Sequence, residues 1–214
     1  ICELCLPGPI AVMTFGGSVT LPGNLAVDGC DLAAFNPGNG GWSTFLDGDD
    51  VGISGQTIAG AAVLPGGDIL LAFENGGTVG GLIGGPNGSS FSAYDILRFS
   101  PESLGENTAG SWSFYFDGSD VELAGDTDLR IRAMSVANDG SIIMATRGGG
   151  SLPGIGSFKP QDLVRFTATS LGATTAGTWA LHFDGSDVGL SKNGEKLDAA
   201  FFNARIRKRC LHGG

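Results

Sequence analysis

A short phrase with an Asp-Gly pair and a further aspartate occurs three times along the chain. It reads DGDDV at 47–51, DGSDV at 117–121 and DGSDV again at 184–188. Each copy sets two carboxylates, or three in the first copy, beside a glycine, a residue that favours tight turns. Such oxygen-rich turns suit calcium, a hard cation that takes about six to eight oxygen ligands in irregular geometry. We therefore predict a Ca²⁺ site built from the aspartates of these turns: Asp47, Asp50, Asp117, Asp120, Asp184 and Asp187.

One such turn alone falls short of a calcium site. Each turn offers only two carboxylates, or three in the first copy, whereas an EF-hand takes ligands from about five or more positions of one loop. The prediction therefore requires turns from several repeats to converge. The structural alternative is that each aspartate accepts hydrogen bonds from backbone N–H groups of its own turn. Both interpretations stay open from the sequence.

His182 is the second component of a candidate active site. It stands just before the third aspartate phrase, where the second copy has Tyr115. Beside Asp184 and a bound calcium ion, it would help to activate water while calcium polarises a carbonyl group. We predict His182 and Asp184 as catalytic residues of a calcium-dependent hydrolase of lactones or esters. The alternative for His182 is an ordinary, half-exposed histidine on a strand.

Two glycine-rich segments carry no recognisable catalytic motif. GGPNGSS (84–90) and RGGGSLPG (147–154) lack the GxxxxGK[ST] pattern of a phosphate-binding loop. The chain also has no GxSxG, so a nucleophile-elbow hydrolase is unsupported. We predict that both segments are long loops that shape a ligand-binding mouth.

The elements that must position these residues form a long repeat. Trp42, Trp112 and Trp179 lie 70 and 67 residues apart. A period of this size indicates one repeated supersecondary unit. A second marker recurs with the same spacing, as DLAAF at 31–35, DILRF at 95–99 and DLVRF at 162–166.

Each unit reads as four short strands. The alternation Trp-x-Phe-x-Phe predicts a first strand with a buried aromatic face. IRAMSVA (131–137) and SIIMAT (141–146) predict a second and a third strand, joined at NDG (138–140), where Asp-Gly tolerates positive φ. DLVRF (162–166) predicts the fourth. Four antiparallel strands per repeat are typical of a propeller blade.

We therefore predict an all-β, propeller-like fold with three units per chain. The predicted units are about 41–110, 111–177, and 178–203 completed by 1–40. Helical signal is confined to single turns near 101–106 and 168–173. Aspartate and arginine pairs in the fourth strand, Asp95 with Arg98 and Asp162 with Arg165, predict exposed ion pairs between blades worth less than about 1 kcal/mol.

The two ends of the chain predict a closed ring. LPGPIAVMTF (6–15) resembles LPGGDILLAF (64–73), and GEKLDAAFF (194–202) stands in the place of a second strand. Early and late strands would then share one blade. Because propellers usually have about four to eight blades, two chains could instead form a six-bladed homodimer that covers open strand edges. The closed single-chain ring and the homodimer both stay open.

The cysteines leave three alternatives. Cys210 could form a disulfide with Cys2 or Cys5 and staple the ring. Cys2, Cys5, Cys30 and His212 could instead hold zinc, although their spacing fits no standard zinc finger. Free thiols are the third alternative.

Composition argues against two classes of partner. The 214 residues carry a formal net charge of −10, whereas nucleic-acid binding needs a basic face. No run of 18 apolar residues occurs, so no membrane span is predicted. The chain begins at Ile1, and we expect a processed product or a fragment.

The stretch DLVRFTATSLGATTAGTWALHFDGSDVGL (162–190) resembles a repeat of large bacterial secreted and surface proteins. Their units read DLxRFTxTSLGxxTAGTWxxxFDGSDVGL, and the resemblance covers nearly all of 28–203. It implies a repeated β fold and a secreted or cell-surface location, and it implies no chemistry, since the function of these repeats is largely unassigned. The tail 204–214, with its basic run, departs from the pattern.

Two functions therefore compete. One is the calcium-dependent hydrolase, which resembles propeller lactonases in architecture and would act on a small lactone or ester. The other is a non-catalytic extracellular binding or adhesion module, with a glycan as a candidate partner. Near-identical repeats favour the module, whereas two differences between the units, His182 and the extra Asp49 of the first unit, favour the hydrolase.

Overall fold

The computed structural model describes residues 10–124, 127–192 and 194–197. Strands and three short 3₁₀ turns make up its regular structure, and these residues contain no α-helix. The strands are β1 (Ala11–Met13), β2 (Val19–Leu21), β3 (Leu25–Val27), β4 (Leu32–Asn36), β5 (Gly41–Leu46), β6 (Ile58–Val63), β7 (Ile69–Phe73), β8 (Gly77–Thr78), β9 (Ser90–Phe91), β10 (Ile96–Ser103), β11 (Ala109–Phe116), β12 (Ile131–Val136), β13 (Ile142–Thr146), β14 (Gly150–Leu152), β15 (Gly156–Phe158), β16 (Leu163–Ser170) and β17 (Ala176–Phe183). The 3₁₀ turns are Gly118–Val121, Thr127–Leu129 and Gly185–Val188.

Three antiparallel sheets follow one another along the chain. The first has the order β1-β4-β5, the second β6-β7-β10-β11 and the third β12-β13-β16-β17. A small hairpin (β2–β3, β8–β9 or β14–β15) lies in the connection between the two central strands of each four-stranded sheet, and before β4 in the first. The all-β prediction with antiparallel sheets is confirmed. The number of blades and the homodimer stay predictions.

The tryptophan strand belongs to the sheet that precedes it. β11 pairs with β10, and β17 pairs with β16, so each tryptophan lies on an edge strand. The chain then passes through an Asp-Gly turn to the opposite edge of the next sheet. The sheets therefore run over 11–46, 58–116 and 131–183, offset from the units that begin at the tryptophans. The spacing of a sequence repeat gives the length of the unit but does not show which strand begins each sheet. The hydrogen bonds between strands decide where each sheet begins.

The central strands are apolar because both of their faces are covered. All residues of β7 and β13 are buried. Beside them, each sheet packs a phenylalanine against its tryptophan with tilted rings, and the ring centroids lie 4.9 Å apart in the Phe99–Trp112 and Phe166–Trp179 pairs. Burying a side chain such as Phe166 stabilises the fold by about 1.5–3 kcal/mol. The aromatic face predicted for the tryptophan strand is confirmed by the buried Trp112, Phe114 and Phe116 of β11.

Neighbouring sheets approach each other closely at their first strands. β6 contacts β12, and a Cβ atom on Gly60 would lie 3.0 Å from the backbone nitrogen of Met134. One apolar cluster joins the two sheets, with Leu70 and Ile96 from the second and Met144 from the third. The sheets therefore pack as neighbours in one core.

The predictions of helical turns, of ring closure and of no membrane span have different outcomes. The helical turns expected near 101–106 and 168–173 are wrong, because β10 and β16 stay paired to Ser103 and Ser170. Of the closure strands (6–15 with 194–202), the first contains β1, which pairs with β4, whereas 198–202 and the tail 204–214 lie outside the described residues, so the closure of the ring stays a prediction. None of the described residues forms a helix long and apolar enough to cross a membrane.

Candidate functional site

The first aspartate of each recurring phrase holds its own turn. Asp117 Oδ1 accepts the backbone N–H of Ser119 at 2.9 Å, and Asp184 Oδ1 accepts that of Ser186 at 2.9 Å. Asp47 does the same for the N–H of Asp49 at 3.1 Å. The structural alternative for these aspartates is therefore observed in all three copies.

A second set of aspartates clamps the same turns from outside. Asp95 Oδ1 accepts the N–H of Gly118 at 3.1 Å, while its Oδ2 accepts the N–H of Ser92 at 2.6 Å. Asp31 and Asp162 repeat this arrangement with Gly48 and Gly185. Each carboxylate thereby ties the start of β4, β10 or β16 to the Asp-Gly turn that follows the next strand.

The glycine of the phrase is required by close approach. A Cβ atom on Gly118 would lie 2.2 Å from the carbonyl oxygen of Tyr94, and one on Gly185 would lie 2.6 Å from that of Gln161. Real Cβ atoms essentially never come so near to backbone oxygen. The Asp-Gly pairing is thus explained by packing of the turn on the clamp loop.

The ion pairs predicted between blades are wrong. Arg98 Nε lies 3.8 Å from Asp68 Oδ2, and Arg165 pairs with Asp139, both in the hairpin turn of the same sheet. Asp95 and Asp162 are instead buried and occupied by backbone N–H groups. Burial raises the pKa of Asp95 to about 6, against the lowering effect of its two N–H donors, and the nearby Asp117 and Asp120 add to the rise.

The second aspartate of the phrase binds the next sheet. Asp50 Oδ2 accepts the N–H of Thr108 at 2.9 Å, and Asp120 Oδ2 accepts the N–H of Thr175 at 2.8 Å. In return, each threonine Oγ1 accepts the N–H of the first aspartate, Asp47 or Asp117, at 2.9 Å. We call the loop between β10 and β11, and that between β16 and β17, the latch.

The tryptophan completes the latch. Trp112 Nε1 donates to the carbonyl oxygen of Val51 at 2.9 Å, and Trp179 Nε1 donates to that of Val121 at 3.0 Å. The glycine of the latch, Gly105 or Gly172, donates its N–H to the strand before the turn. Four hydrogen bonds thus recur at both junctions between sheets. The repeats therefore keep both the tryptophan, which bonds to the Asp-Gly turn of the preceding sheet, and the aspartates, which bond to the latch of the next sheet.

These contacts bear on the predicted calcium site. The carboxylates of Asp47, Asp50, Asp117 and Asp120 accept backbone N–H groups within or between sheets, and they do not gather around one point with six oxygens. Within the described part of the chain, no group of three or more His, Cys, Asp or Glu side chains is arranged to hold a metal ion. The calcium site stays a prediction.

The predicted catalytic pair sits at the far edge of the third sheet. His182 lies on the edge strand β17 and is exposed, whereas its counterpart Tyr115 is buried at the second junction. The Oγ and N–H groups of Ser186 donate to Asp184 at 2.6 and 2.9 Å and lower its pKa. Asp184 is therefore held ionised as a turn cap. Its catalytic role with His182 stays a prediction.

Cys30 is a buried free thiol. Its Sγ lies 3.7 Å from carboxylate oxygens of Asp31 and Asp49. Burial, followed by the charge of these two aspartates, raises its pKa to about 12. The thiol is therefore protonated near neutral pH and unreactive. Cys2, Cys5, Cys210 and His212 lie outside the described residues, so the disulfide and the zinc site stay predictions.

A cleft of about 460 Å³ lies where the three sheets meet. Its lining includes Thr14 just after β1, Glu74 just after β7, and three arginines in or next to β12 and β13: Arg130, Arg132 and Arg147. Arg130 Nη1 donates to the carbonyl oxygen of Glu74 at 3.4 Å. Three guanidinium groups and one carboxylate therefore line this cleft, on a chain whose net charge is −10.

The repeats differ in charge at the cleft. Gly16, Glu74 and Arg147 follow the equivalent strands β1, β7 and β13, and all three line it. Arg132 stands where the second sheet has Ala59. Sequence reasoning centred on the recurring aspartates missed this site. The available signal was the set of arginines at 130, 132 and 147, which breaks the repeat in an acidic chain.

No known protein family matches this chain, and no curated protein matches it either.

Proposed function

We propose that this chain is a non-catalytic, extracytoplasmic binding module, and that its cleft takes a carboxylate-bearing glycan. The observation that carries the proposal is the arginine cleft: Arg130, Arg132 and Arg147 line one concavity at the meeting of three sheets. Its volume lies in the range of small-ligand sites, roughly 300–1,000 Å³. The repeat family that the sequence resembles supports the extracytoplasmic setting.

Arginine suits this ligand chemically. A guanidinium group presents a planar fork of N–H donors that matches a carboxylate in a bidentate geometry. Charged donors in a cleft bind an anion more strongly than donors on an open surface, because the surroundings screen them less. Glu74 also lines the cleft, beside Arg130, and its carboxylate would discriminate against ligands with dense negative charge and favour a single, well-placed carboxylate.

The recurring aspartates support the non-catalytic part of the proposal. In the first two copies their carboxylates hold turns and junctions through backbone N–H groups. A structural task common to every unit accounts for their repetition. The ligand site then resides in the residues that break the repeat, and these are the arginines of the cleft.

Calorimetric titration tests the proposal. Uronate-bearing oligosaccharides should bind, and neutral oligosaccharides of equal length should not. The affinity should fall as salt is raised, because the interaction is between charges. Equal binding of both ligands, or binding of neither, would overturn the proposed cleft function.

The hydrolase prediction is examined with the same protein. A panel of lactones and aryl esters is incubated with calcium and then with a chelator. The binding-module proposal requires no turnover in either condition. Calcium-dependent turnover would replace it with the hydrolase and direct site mapping to His182 and Asp184.

A further inference from the structure

A second cavity, of about 260 Å³, adjoins the arginine cleft. Residues that are neighbours in the sequence line the two concavities: Gly16 and Ile58 line the cleft, whereas Gly17 and Thr57 line the second cavity. A Cβ atom built on Gly16 or on Gly17 would meet nothing within 4 Å, so the surface is open at this boundary within the described part of the chain. A ligand held in the cleft can therefore extend over the two glycines into the second cavity.

The second cavity is lined by hydrogen-bonding groups that suit the hydroxyl groups of a sugar. Its lining includes three hydroxyls, one amide and two carboxylates, which belong to Ser18, Ser54, Thr57, Gln56, Asp28 and Asp49. The side chain of Asp28 accepts no hydrogen bond from the described residues, and that of Asp49 accepts only the thiol of Cys30, at 3.7 Å. No arginine, lysine or histidine of the described residues lines this cavity. The two carboxylates can therefore accept hydrogen bonds from a ligand.

Three lining positions of the second cavity differ from the later repeats, either by a smaller side chain or by an added carboxylate. They are Cys30 against Tyr94 and Gln161, Asp49 against Ser119 and Ser186, and Asp28 against Ser92 and Lys159. A cysteine takes up less volume than a tyrosine or a glutamine, and this leaves space beside the turn. The serines of the later repeats bond to the first aspartate of their own turn, whereas the Asp49 carboxylate receives the thiol of Cys30. As in the arginine cleft, residues that break the repeat gather at one concavity.

We infer that the second cavity is a subsite for a sugar without a carboxylate, which is linked directly to the uronate that the arginine cleft takes. The inference rests on the proposed function of the cleft, because the neighbouring sugar is placed by the uronate held there. A neutral sugar presents hydroxyl groups that donate to Asp28 and Asp49. A second uronate would bring its carboxylate beside these two aspartates and be repelled. The chain therefore selects a glycan that alternates uronic acid with neutral sugar over a polymer of uronic acid alone.

Calorimetric titration with two tetrasaccharides tests the subsite. One tetrasaccharide alternates glucuronic acid with N-acetylglucosamine, and the other contains galacturonic acid alone. The alternating ligand should bind to the native chain at least about threefold more tightly, because the uniform ligand places like charges together. Equal affinity, or tighter binding of the uniform ligand, would overturn the inference and leave the cleft as a carboxylate site. Binding of neither ligand would overturn the proposed function and this inference together.

The double variant Asp28→Asn with Asp49→Asn shows whether this cavity causes the preference. Asparagine keeps the size of the side chain and removes its charge, so the uniform ligand should gain affinity relative to the alternating one. The ratio of the two affinities should fall at least about threefold. Glu102→Gln is the matched control, because it removes an exposed carboxylate that lines neither concavity, and it should leave the ratio unchanged. The same ratio in the native chain and the double variant would contradict the inference.

A side chain placed at the boundary tests whether one ligand spans both concavities. Gly17 has no positive φ and open space around it, so the backbone accommodates leucine there. Gly17→Leu should weaken binding of the alternating tetrasaccharide about threefold or more and leave that of glucuronic acid alone unchanged, since the single sugar stays within the cleft. Gly66→Leu is the matched control, because Gly66 is equally open and lines neither concavity. Equal effects of Gly17→Leu on both ligands, or no effect on either, would overturn the inference.

Discussion

Asp120 and Thr175 join two consecutive sheets through a reciprocal contact. The Asp120 carboxylate accepts the threonine N–H at 2.8 Å, and the threonine Oγ1 accepts the N–H of Asp117 at 2.9 Å. Asp50, Asp47 and Thr108 make the same contact one repeat earlier. The repeated phrase of the sequence is therefore a coupling device between units, and its energetics can be measured.

Thr175→Val should destabilise the fold. Valine keeps the shape of threonine but leaves the buried N–H of Asp117 without an acceptor, at a cost of about 1–3 kcal/mol. Urea unfolding measures the loss. Thr174→Val is the matched control, because residue 174 is exposed and its side chain makes no junction contact. Equal stability of both variants would show that the junction contributes nothing.

Gly118→Ala should be among the most damaging single-methyl changes. The added Cβ would lie 2.2 Å from the Tyr94 carbonyl, so the turn and the clamp loop must separate. We expect a loss of about 1–3 kcal/mol or more from overpacking, together with weakened junction bonds. Gly80→Ala is the control, because nothing lies within 4 Å of the added atom there. Thermal unfolding of both variants distinguishes close approach from a general intolerance of glycine replacement.

Asp95 should make stability fall as pH rises. The pKa of Asp95 is 3.8 in the unfolded chain and about 6 in the folded chain. At a pH between these two values, folding therefore takes up a proton. The stabilising contribution is present below about pH 4 and is lost as pH rises through about 6, amounting to about 3 kcal/mol.

The test compares urea unfolding of the native chain and Asp95→Asn from pH 4 to 7. The difference in unfolding free energy between the two should change across this window, because asparagine does not titrate. The exposed Glu102→Gln serves as the control. A constant difference between native chain and Asp95→Asn would contradict the assigned direction.

Cys30 should resist thiol reagents in the folded chain. A variant that keeps Cys30 as its single cysteine, with serine at positions 2, 5 and 210, should not react with a disulfide reagent at about pH 8, because a thiol of pKa about 12 holds little thiolate. The same variant should react fully in strong denaturant. Rapid reaction under native conditions would show that the thiol is accessible and activated.

Much of the fold could be predicted from the sequence. The period of the tryptophans and the alternation in Trp-x-Phe-x-Phe indicated the strands, and in β11 the aromatic face of Trp112, Phe114 and Phe116 is buried. The spacing could not show which strand begins each sheet, because it does not tell whether the tryptophan strand β11 pairs with β10 before it or with the strands after it. Two arginines, Arg98 and Arg165, were assigned the wrong partner because the hairpin turns of their own sheets bring Asp68 and Asp139 into contact with them.

The candidate site was harder to foresee. Asp120 looks like a metal ligand in isolation, and only the three-dimensional approach of Thr175 reveals its use in the fold. Arg130, Arg132 and Arg147 lie up to 17 residues apart in the sequence and converge because the start of β12 and the end of β13 are paired. Such convergence depends on pairing across a hairpin and on the close approach of neighbouring sheets.

The most direct test of the central claim is calorimetric binding of a uronate-bearing oligosaccharide to Arg147→Ala and Arg165→Ala. Both changes remove one arginine, but only Arg147 lines the cleft, while Arg165 pairs with Asp139 on a hairpin turn. The proposal predicts at least about tenfold weaker binding for Arg147→Ala, the loss expected for a charged hydrogen bond, and unchanged affinity for Arg165→Ala. Equal affinities of the two variants would contradict the assignment of this cleft as the ligand site.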